Sequence, residues 1–315
     1  MTKPVLLVNK RVPAPIRTAL LELGQVTEYS VESEGDFPDA AVALVTGAMD
    51  PVSSDMICRL PRSVGLIANI GVGTDNIDLT AAKARGIQVS NTPVVTDDTA
   101  DLAMGLVLMT SRRTTNYEKL LREGLWEESM HPSYYGRSVH GKTLGIVGFG
   151  SIGQALARRA AAFSMRLLYH GPRRKRDAER QVGATFCPNI GDLFRQSDVV
   201  SLNCPSKPET RHIVNAKSLL QFKPGAVLIN TGRGPLLDET AVVHELLGGR
   251  LSAVGLDVHE HEPRVNRELL KMQNVTLLPH IGSWTVECQQ AMRLRLIDNV
   301  KSFLRTGFPL DRVEA

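Results

Sequence analysis

Arg233, Glu262 and His280 each stand just beyond a short apolar run, and their chemistry is complementary. Arg233 lies in Asn230-Thr-Gly-Arg233-Gly-Pro235, behind the apolar run Val227–Asn230. Glu262 lies in Gly255-Leu-Asp257-Val-His-Glu260-His-Glu262-Pro263, and His280 in Leu278-Pro-His280-Ile-Gly-Ser-Trp284. A guanidinium can grip a carboxylate through two parallel hydrogen bonds and polarise a ketone beside it. Hydride reduction of a ketone leaves an alkoxide that needs a proton, and imidazole is the side chain best tuned to give one near neutral pH. A carboxylate bonded to that imidazole fixes its tautomer and favours its protonated form. Each residue alone is more often a surface or packing residue. All three at successive strand ends fit the reduction of a ketone that carries a carboxylate.

A second group concerns a nucleotide. Leu144-Gly-Ile-Val147 leads into Gly148-Phe-Gly150-Ser-Ile-Gly153 and then a helical stretch, Gln154–Ala162. A GxGxxG that closes a strand and opens a helix, with another strand following at the right distance, is a strong dinucleotide signature. Gly148 permits the tight turn, Gly150 lets backbone approach a pyrophosphate, and Gly153 lets the helix pack closely, while the helix N-terminus offers free N–H groups. The next strand ends at Tyr169-His170-Gly171-Pro172-Arg173-Arg174-Lys175-Arg176, with no acid before Asp177. An NAD site normally places Asp or Glu there for the ribose 2′-hydroxyl, whereas the basic run suits a 2′-phosphate. NADPH is therefore expected over NADH, held by Arg173 and Arg174; the bland alternative is a solvated charge run.

The elements that must position these residues follow an α/β rhythm of short apolar strand, then amphipathic helix. Strands are expected at Val5–Val8, Ala43–Thr46 and Leu66–Ile70, and a helix at Pro15–Gly24. From Lys142 the pattern is doubly wound, with strands at Thr143–Val147, Arg166–Tyr169, Val199–Leu202, Val227–Asn230, Ala253–Val258 and Val275–Leu278. A long helix is expected over Thr99–Arg122, serving as an interdomain bridge, a dimer face or a core helix. A last helix, Glu287–Leu304, could fold back onto the first domain. The fold class is α/β with two doubly wound domains: a Rossmann-type nucleotide domain, residues 99–286, inserted in a flavodoxin-like substrate domain, residues 1–98 and 287–315. Trp126, Tyr134 and Tyr135 are expected to pack at an interface or cleft edge.

Composition narrows the function classes. The chain has 315 residues, 43% of them hydrophobic, enough for a sizeable core and about two domains. With no run of about 18 apolar residues, a membrane span is not expected. The start Met1-Thr2-Lys3-Pro4 leads into too short an apolar run for a signal peptide, so the reading is cytoplasmic. A net charge of +4 suits anionic small molecules and is not a nucleic-acid footprint. Cys58, Cys187, Cys204 and Cys288 lack metal-ligand spacing and read as buried, inert thiols; no metal is expected. His259 and His261, alternating about Glu260, lack the geometry of a helical ligand pair and are expected to face solvent.

These segments, together with Ala68-Asn-Ile-Gly-Val-Gly-Thr-Asp-Asn-Ile-Asp78, resemble the D-isomer-specific 2-hydroxyacid dehydrogenase family, particularly its glyoxylate/hydroxypyruvate reductase branch. The resemblance spans nearly the whole chain. It implies that Arg233 binds the substrate carboxylate, His280 is the acid/base and Glu262 assists it. Backbone amides at Val72 and Gly73 would touch the carboxylate, as glycine-rich backbone at a strand end can. Cofactor contacts would come from the loop Gly148, Phe149, Gly150, Ser151, Ile152 and Gly153, and from Gly171, Cys204, Pro205, Thr231 and Asp257. The branch implies glyoxylate and hydroxypyruvate as substrates and a homodimer. Alternatives are 2-ketogluconate or hydroxyphenylpyruvate on the same scaffold, or a non-catalytic NAD(P)-sensing protein. Phosphoglycerate is disfavoured because the chain ends at Ala315 without the regulatory domain many such enzymes carry. Trp284, read as one helical turn from His280, departs from the family's usual small residue. It either walls the substrate pocket and favours short substrates or packs against the neighbouring domain.

Overall fold

In the computed structural model, residues 3–31, 37–126 and 135–314 are described; Met1, Thr2 and Tyr134 lie outside them. The chain divides into two compact units, Met1–Val95 with Ser283–Ala315, and Thr96–Gly282. Both are parallel-sheet α/β layers.

The first unit is built on strands β1 (Val5–Asn9), β2 (Gln25–Tyr29), β3 (Ala41–Gly47), β4 (Leu66–Ile70) and β5 (Gln88–Ser90). Their order is β2-β1-β3-β4-β5, every pairing parallel, which is the flavodoxin-like order. Because side chains alternate across a strand, Val5 and Leu7 enter one core while Leu6 and Val8 enter the other. That explains why β1 reads as unbroken apolar sequence: both sheet faces are covered. On the Leu6 face, helix α1 (Ala14–Leu23) supplies Ile16 and Leu20, and the last helix of the chain, Val286–Thr306, supplies Leu296 and Val300. On the other face lie α2 (Ser54–Arg59) and α3 (Leu79–Ala84), capped by the Ser53 and Asp78 side chains.

The second unit has a seven-stranded sheet. It is made of β6 (Thr143–Val147), β7 (Arg166–His170), β8 (Thr185–Phe186), β9 (Val199–Leu202), β10 (Ala226–Asn230), β11 (Leu251–Leu256) and β12 (Val275–Leu277). The order is β12-β11-β10-β9-β6-β7-β8, again all parallel. The sequence runs outward from β6 in both directions, so the crevice between β6 and β9 is the topological switch point where doubly wound sheets collect ligands. Helices α4 (Thr96–Arg112) and α6 (Ser151–Ala162) cover one face; α8 (Ile190–Gln196), α9 (Ala216–Leu219) and α10 (Glu239–Leu247) cover the other.

Several expectations need correction. Thr99–Arg122 is not one helix: it is α4 followed by α5 (Thr114–Arg122), separated by Arg113 at φ 51°. The Ser111 carbonyl, which a continuing helix would use, accepts the Arg137 amide at 2.7 Å instead. Ala100, Ala103, Met104 and Val107 are buried, making α4 a core helix of the second unit. The strand expected at Ala253–Val258 runs instead over Leu251–Leu256, ending where Asp257 turns to other partners. Cys58 is exposed rather than buried. Trp126 and Tyr135 are exposed on the single chain, which does not overturn the interface or cleft-edge expectation for them.

Candidate active site

The switch point is shaped by glycine. Gly148, leaving β6, has φ 94°, a left-handed conformation that costs glycine little. A Cβ there would lie 2.6 Å from the Cys204 nitrogen, so the loops after β6 and β9 are in direct contact. At Gly153 a Cβ would lie 2.2 Å from the Gly148 carbonyl, which is why α6 can start so close to the strand. Gly150 is different. It caps α6, and nothing lies within 4 Å of where its Cβ would be, so the space over the helix N-terminus is open. Nearby, the Asn203 Oδ1 and Thr231 Oγ1 atoms are buried without a partner among the described residues. An open amide cradle flanked by unsatisfied polar atoms fits a dinucleotide.

The aromatic core supports this edge. Phe149 is buried and stacks on Tyr169 at 4.0 Å, so what Phe149 offers a ligand is its main chain. Cys204 is half-buried, and burial pushes its thiol up to about 11; it is inert as a nucleophile at neutral pH. Beyond β7 the basic run Arg173–Arg176 is exposed, and no acid stands at the strand end, where His170 holds the Cys187 carbonyl through Nδ1 at 2.9 Å. Arg174 is not an unattached charge: it meets Glu179 through Nε at 2.9 Å and Nη2 at 2.8 Å.

The three chemistry-bearing residues sit at the carboxyl ends of neighbouring strands. Arg233 follows β10, on a turn that Asn230 organises by donating to the Arg233 carbonyl at 2.8 Å and accepting the Gly232 amide at 3.0 Å. The next loop presses against it, since a Cβ on Gly234 would lie 1.8 Å from the His259 carbonyl. In that loop the His259 amide donates to Glu262 Oε1 at 2.9 Å, and the second oxygen, Oε2, takes Nδ1 of His280 at 2.8 Å. Burial pushes the Glu262 carboxyl up, but the His280 hydrogen bond and charge and the His259 amide outweigh it and leave it below the ordinary range. With Nδ1 committed to the carboxylate, Nε2 is the nitrogen available to exchange a proton.

His280 stands at φ 57°, a conformation that costs a non-glycine residue about 1–3 kcal/mol and persists only where its surroundings enforce it. Asp257 enforces it. Its carbonyl accepts the His280 amide at 2.7 Å, and its carboxylate accepts the Ile281 amide at 2.7 Å and the Gly282 amide at 2.9 Å. The Asp257 carboxyl is buried and pushed up by desolvation, partly offset by those two amides. A cofactor contact was the expectation for Asp257; what the structure adds is a clamp beneath the histidine.

His259 is buried, not solvent-facing: its Nε2 donates to the Leu278 carbonyl at 3.0 Å, tying the Glu262 loop to the His280 loop. His261 is exposed. Among the described residues there is no cluster of acid, His and Cys side chains suited to a metal, and no helix long and apolar enough to cross a membrane.

The remaining expected residues belong to the first unit. Val72 and Gly73 form the turn after β4, whose carbonyls accept Asn91 Nδ2 at 2.8 Å and Asn69 Nδ2 at 2.7 Å. Trp284 is not one helical turn from His280. The intervening residues are a turn, and helix α11 (Val286–Thr306) starts only after its Thr285 cap, leaving Trp284 two-thirds exposed at 66%.

The description "D-isomer specific 2-hydroxyacid dehydrogenase, NAD binding domain" matches residues 104–282. The chain belongs to that family. This dehydrogenase is 44% identical over 276 residues to a glyoxylate reductase of Thermococcus litoralis, covering 86% of this chain and 82% of that protein. It is 38% identical to glyoxylate/hydroxypyruvate reductase B of Shigella boydii, covering 95% and 94%. Among solved structures, an NADPH-dependent glyoxylate/hydroxypyruvate reductase from Sinorhizobium meliloti, bound to NADP and malonate, superimposes with a TM-score of 0.91 at 33% identity, covering 99% of this chain and 97% of that one. Sequence reasoning passed over Tyr169, Glu179, Asn203 and the clamp role of Asp257. Only the last carried a sequence signal, an acid at a strand end.

Proposed function

We propose that this dehydrogenase reduces glyoxylate and hydroxypyruvate to D-2-hydroxy acids, with NADPH preferred over NADH. The observation that carries the reading is the Glu262 Oε2 to His280 Nδ1 bond of 2.8 Å, on the same sheet edge as Arg233 and the glycine loop. The names of the relatives and the NADP bound in the Sinorhizobium meliloti structure support the substrate class and the cofactor. The exposed Arg173–Arg176 run and the absence of an acid at His170 favour a 2′-phosphate.

The amides at the start of α6 and the open space over Gly150 would hold the pyrophosphate, with Ser151 and Ile152 supplying backbone and Gly153 the close packing. Gly171, Arg173 and Arg174 would meet the adenosine ribose, and Cys204, Pro205, Thr231 and Asp257 the remainder of the dinucleotide. A reduced nicotinamide, when bound, supplies the hydride. Arg233 grips the substrate carboxylate and polarises the ketone; for Val72 and Gly73, in the first unit, a carboxylate-binding role rests on the family resemblance alone. His280 delivers the proton from Nε2 to the nascent alkoxide, and Glu262 keeps the imidazole oriented through Nδ1. Trp284, which stands where the family usually has a small residue, is proposed on that departure alone to limit substrate size. The enzyme works as a cytoplasmic homodimer. Glyoxylate-dependent oxidation of NADPH that is abolished in His280→Ala tests the reading; unchanged turnover in that variant overturns it.

A further inference from the structure

Arg174 lies on an exposed turn, yet its guanidinium is fixed. Nε donates to both oxygens of Glu179, at 2.9 and 3.1 Å, and Nη2 donates to one of them at 2.8 Å. Glu179 in turn is anchored from below. The Tyr169 hydroxyl donates to Glu179 Oε1 at 2.6 Å and accepts the Lys175 amide at 2.7 Å. Tyr169 is fully buried and stacked on Phe149 of the glycine loop. A continuous path of contacts therefore runs from the phosphate cradle through Tyr169 and Glu179 to Arg174. The hydrogen bond from Arg174, with that from Tyr169, holds the Glu179 carboxyl down to about 2, so the brace stays charged throughout the neutral range.

A guanidinium has one edge formed by Nε and Nη2 and another formed by Nη1 and Nη2. Glu179 occupies the first edge and leaves the second, which suits a phosphate monoester. We infer that Glu179 is a positioning residue for cofactor discrimination, bracing Arg174 so that its remaining edge meets the 2′-phosphate already ordered. The inference rests on the NADPH reading above. Without the brace a long exposed side chain must be ordered at each binding event, which weakens binding by about 3- to 10-fold. The carboxylate lowers the net charge of the turn as well, and a purely electrostatic account makes the opposite forecast: removing it strengthens phosphate binding.

Calorimetric titration of the full-length protein with 2′,5′-ADP and with 5′-AMP separates these outcomes without turnover. Wild type is expected to bind 2′,5′-ADP the more tightly. Glu179→Gln should lose about 3- to 10-fold in affinity for 2′,5′-ADP while binding 5′-AMP as wild type does, which also shows that the variant is folded. Tyr169→Phe, which removes only the hydroxyl, should lose part of that effect. The Glu179→Gln, Arg174→Ala double variant should bind no worse than Arg174→Ala alone, because the brace acts through that arginine. Unchanged or tighter 2′,5′-ADP binding in Glu179→Gln, or an equal loss for both nucleotides, overturns the inference and leaves the NADPH reading standing. A wild type that does not distinguish the two nucleotides overturns both.

Discussion

Replacing Glu262 with Gln removes a charge while keeping size and one acceptor oxygen, so it isolates what the carboxylate does for His280. In the native site Oε2 takes Nδ1 at 2.8 Å and Oε1 takes the His259 amide at 2.9 Å. A hydrogen bond to a charged group is worth about 1.5–3 kcal/mol, and each ~1.4 kcal/mol is tenfold in rate. The pair is partly open to water, with side-chain exposures of 32% for His280 and 18% for Glu262, and the amide oxygen of Gln can still accept. The lower end of the range therefore applies: kcat/KM for glyoxylate reduction should fall about 10- to 30-fold, with the fall in kcat and the cofactor KM unchanged. Steady-state kinetics with both substrates varied reads this directly. A stability measurement checks the electrostatics independently. The Glu262 carboxyl is held below its ordinary 4.5 in the fold, so its contribution is complete above that value and is lost as pH falls through the lowered one. The gap in urea midpoint between wild type and Glu262→Gln should shrink on acidification from pH 6. A gap that widens in acid, or a variant with native kcat, would refute the reasoning.

The other predictions follow from contacts around the same edge. Gly150→Ala should leave the melting temperature near wild type, because its Cβ meets nothing within 4 Å, yet weaken cofactor binding; Gly153→Ala, with a Cβ 2.2 Å from the Gly148 carbonyl, should destabilise the fold outright in the same melts. Asp257→Asn should cost about 1–3 kcal/mol in urea unfolding, since its amide nitrogen would face one of the two backbone N–H groups the carboxylate accepts and leave it unsatisfied. Slower turnover should accompany that loss as His280 relaxes from its left-handed conformation. Trp284→Ala should raise kcat/KM for phenylpyruvate relative to glyoxylate; an unmoved ratio refutes its proposed role in limiting substrate size.

The inner strands were legible because parallel strands covered on both faces carry unbroken apolar runs, as in β1 and β6, and Gly148, Gly150 and Gly153 punctuate the turn that follows; the edge strands β2, β5 and β8 were not, since they are short or lack such a run. Arg233, Glu262 and His280 were legible because each follows such a run. Tertiary hydrogen bonds were not. The break at Arg113 comes from the Arg137 amide capturing the Ser111 carbonyl, an event with no local signal such as glycine or proline. His259 looked exposed because it alternates with charged residues, but its partner, the Leu278 carbonyl, lies nineteen residues on in the neighbouring strand's loop. The bond between Arg174 and Glu179 was hidden likewise. The basic run read as unopposed charge, while the acid that answers it sits on the following helix, α7 (Arg176–Val182).

We propose that Arg233, Glu262, His280 and the glycine loop form one reducing site. Its most direct test is loss of reduced-nicotinamide absorbance with glyoxylate and hydroxypyruvate, with NADPH and NADH in parallel, for wild type and His280→Ala. Rapid NADPH oxidation by wild type is expected, with slower NADH oxidation, and neither in the variant. Turnover that survives the loss of His280, or cofactor binding by wild type without any turnover of these acids, would contradict it.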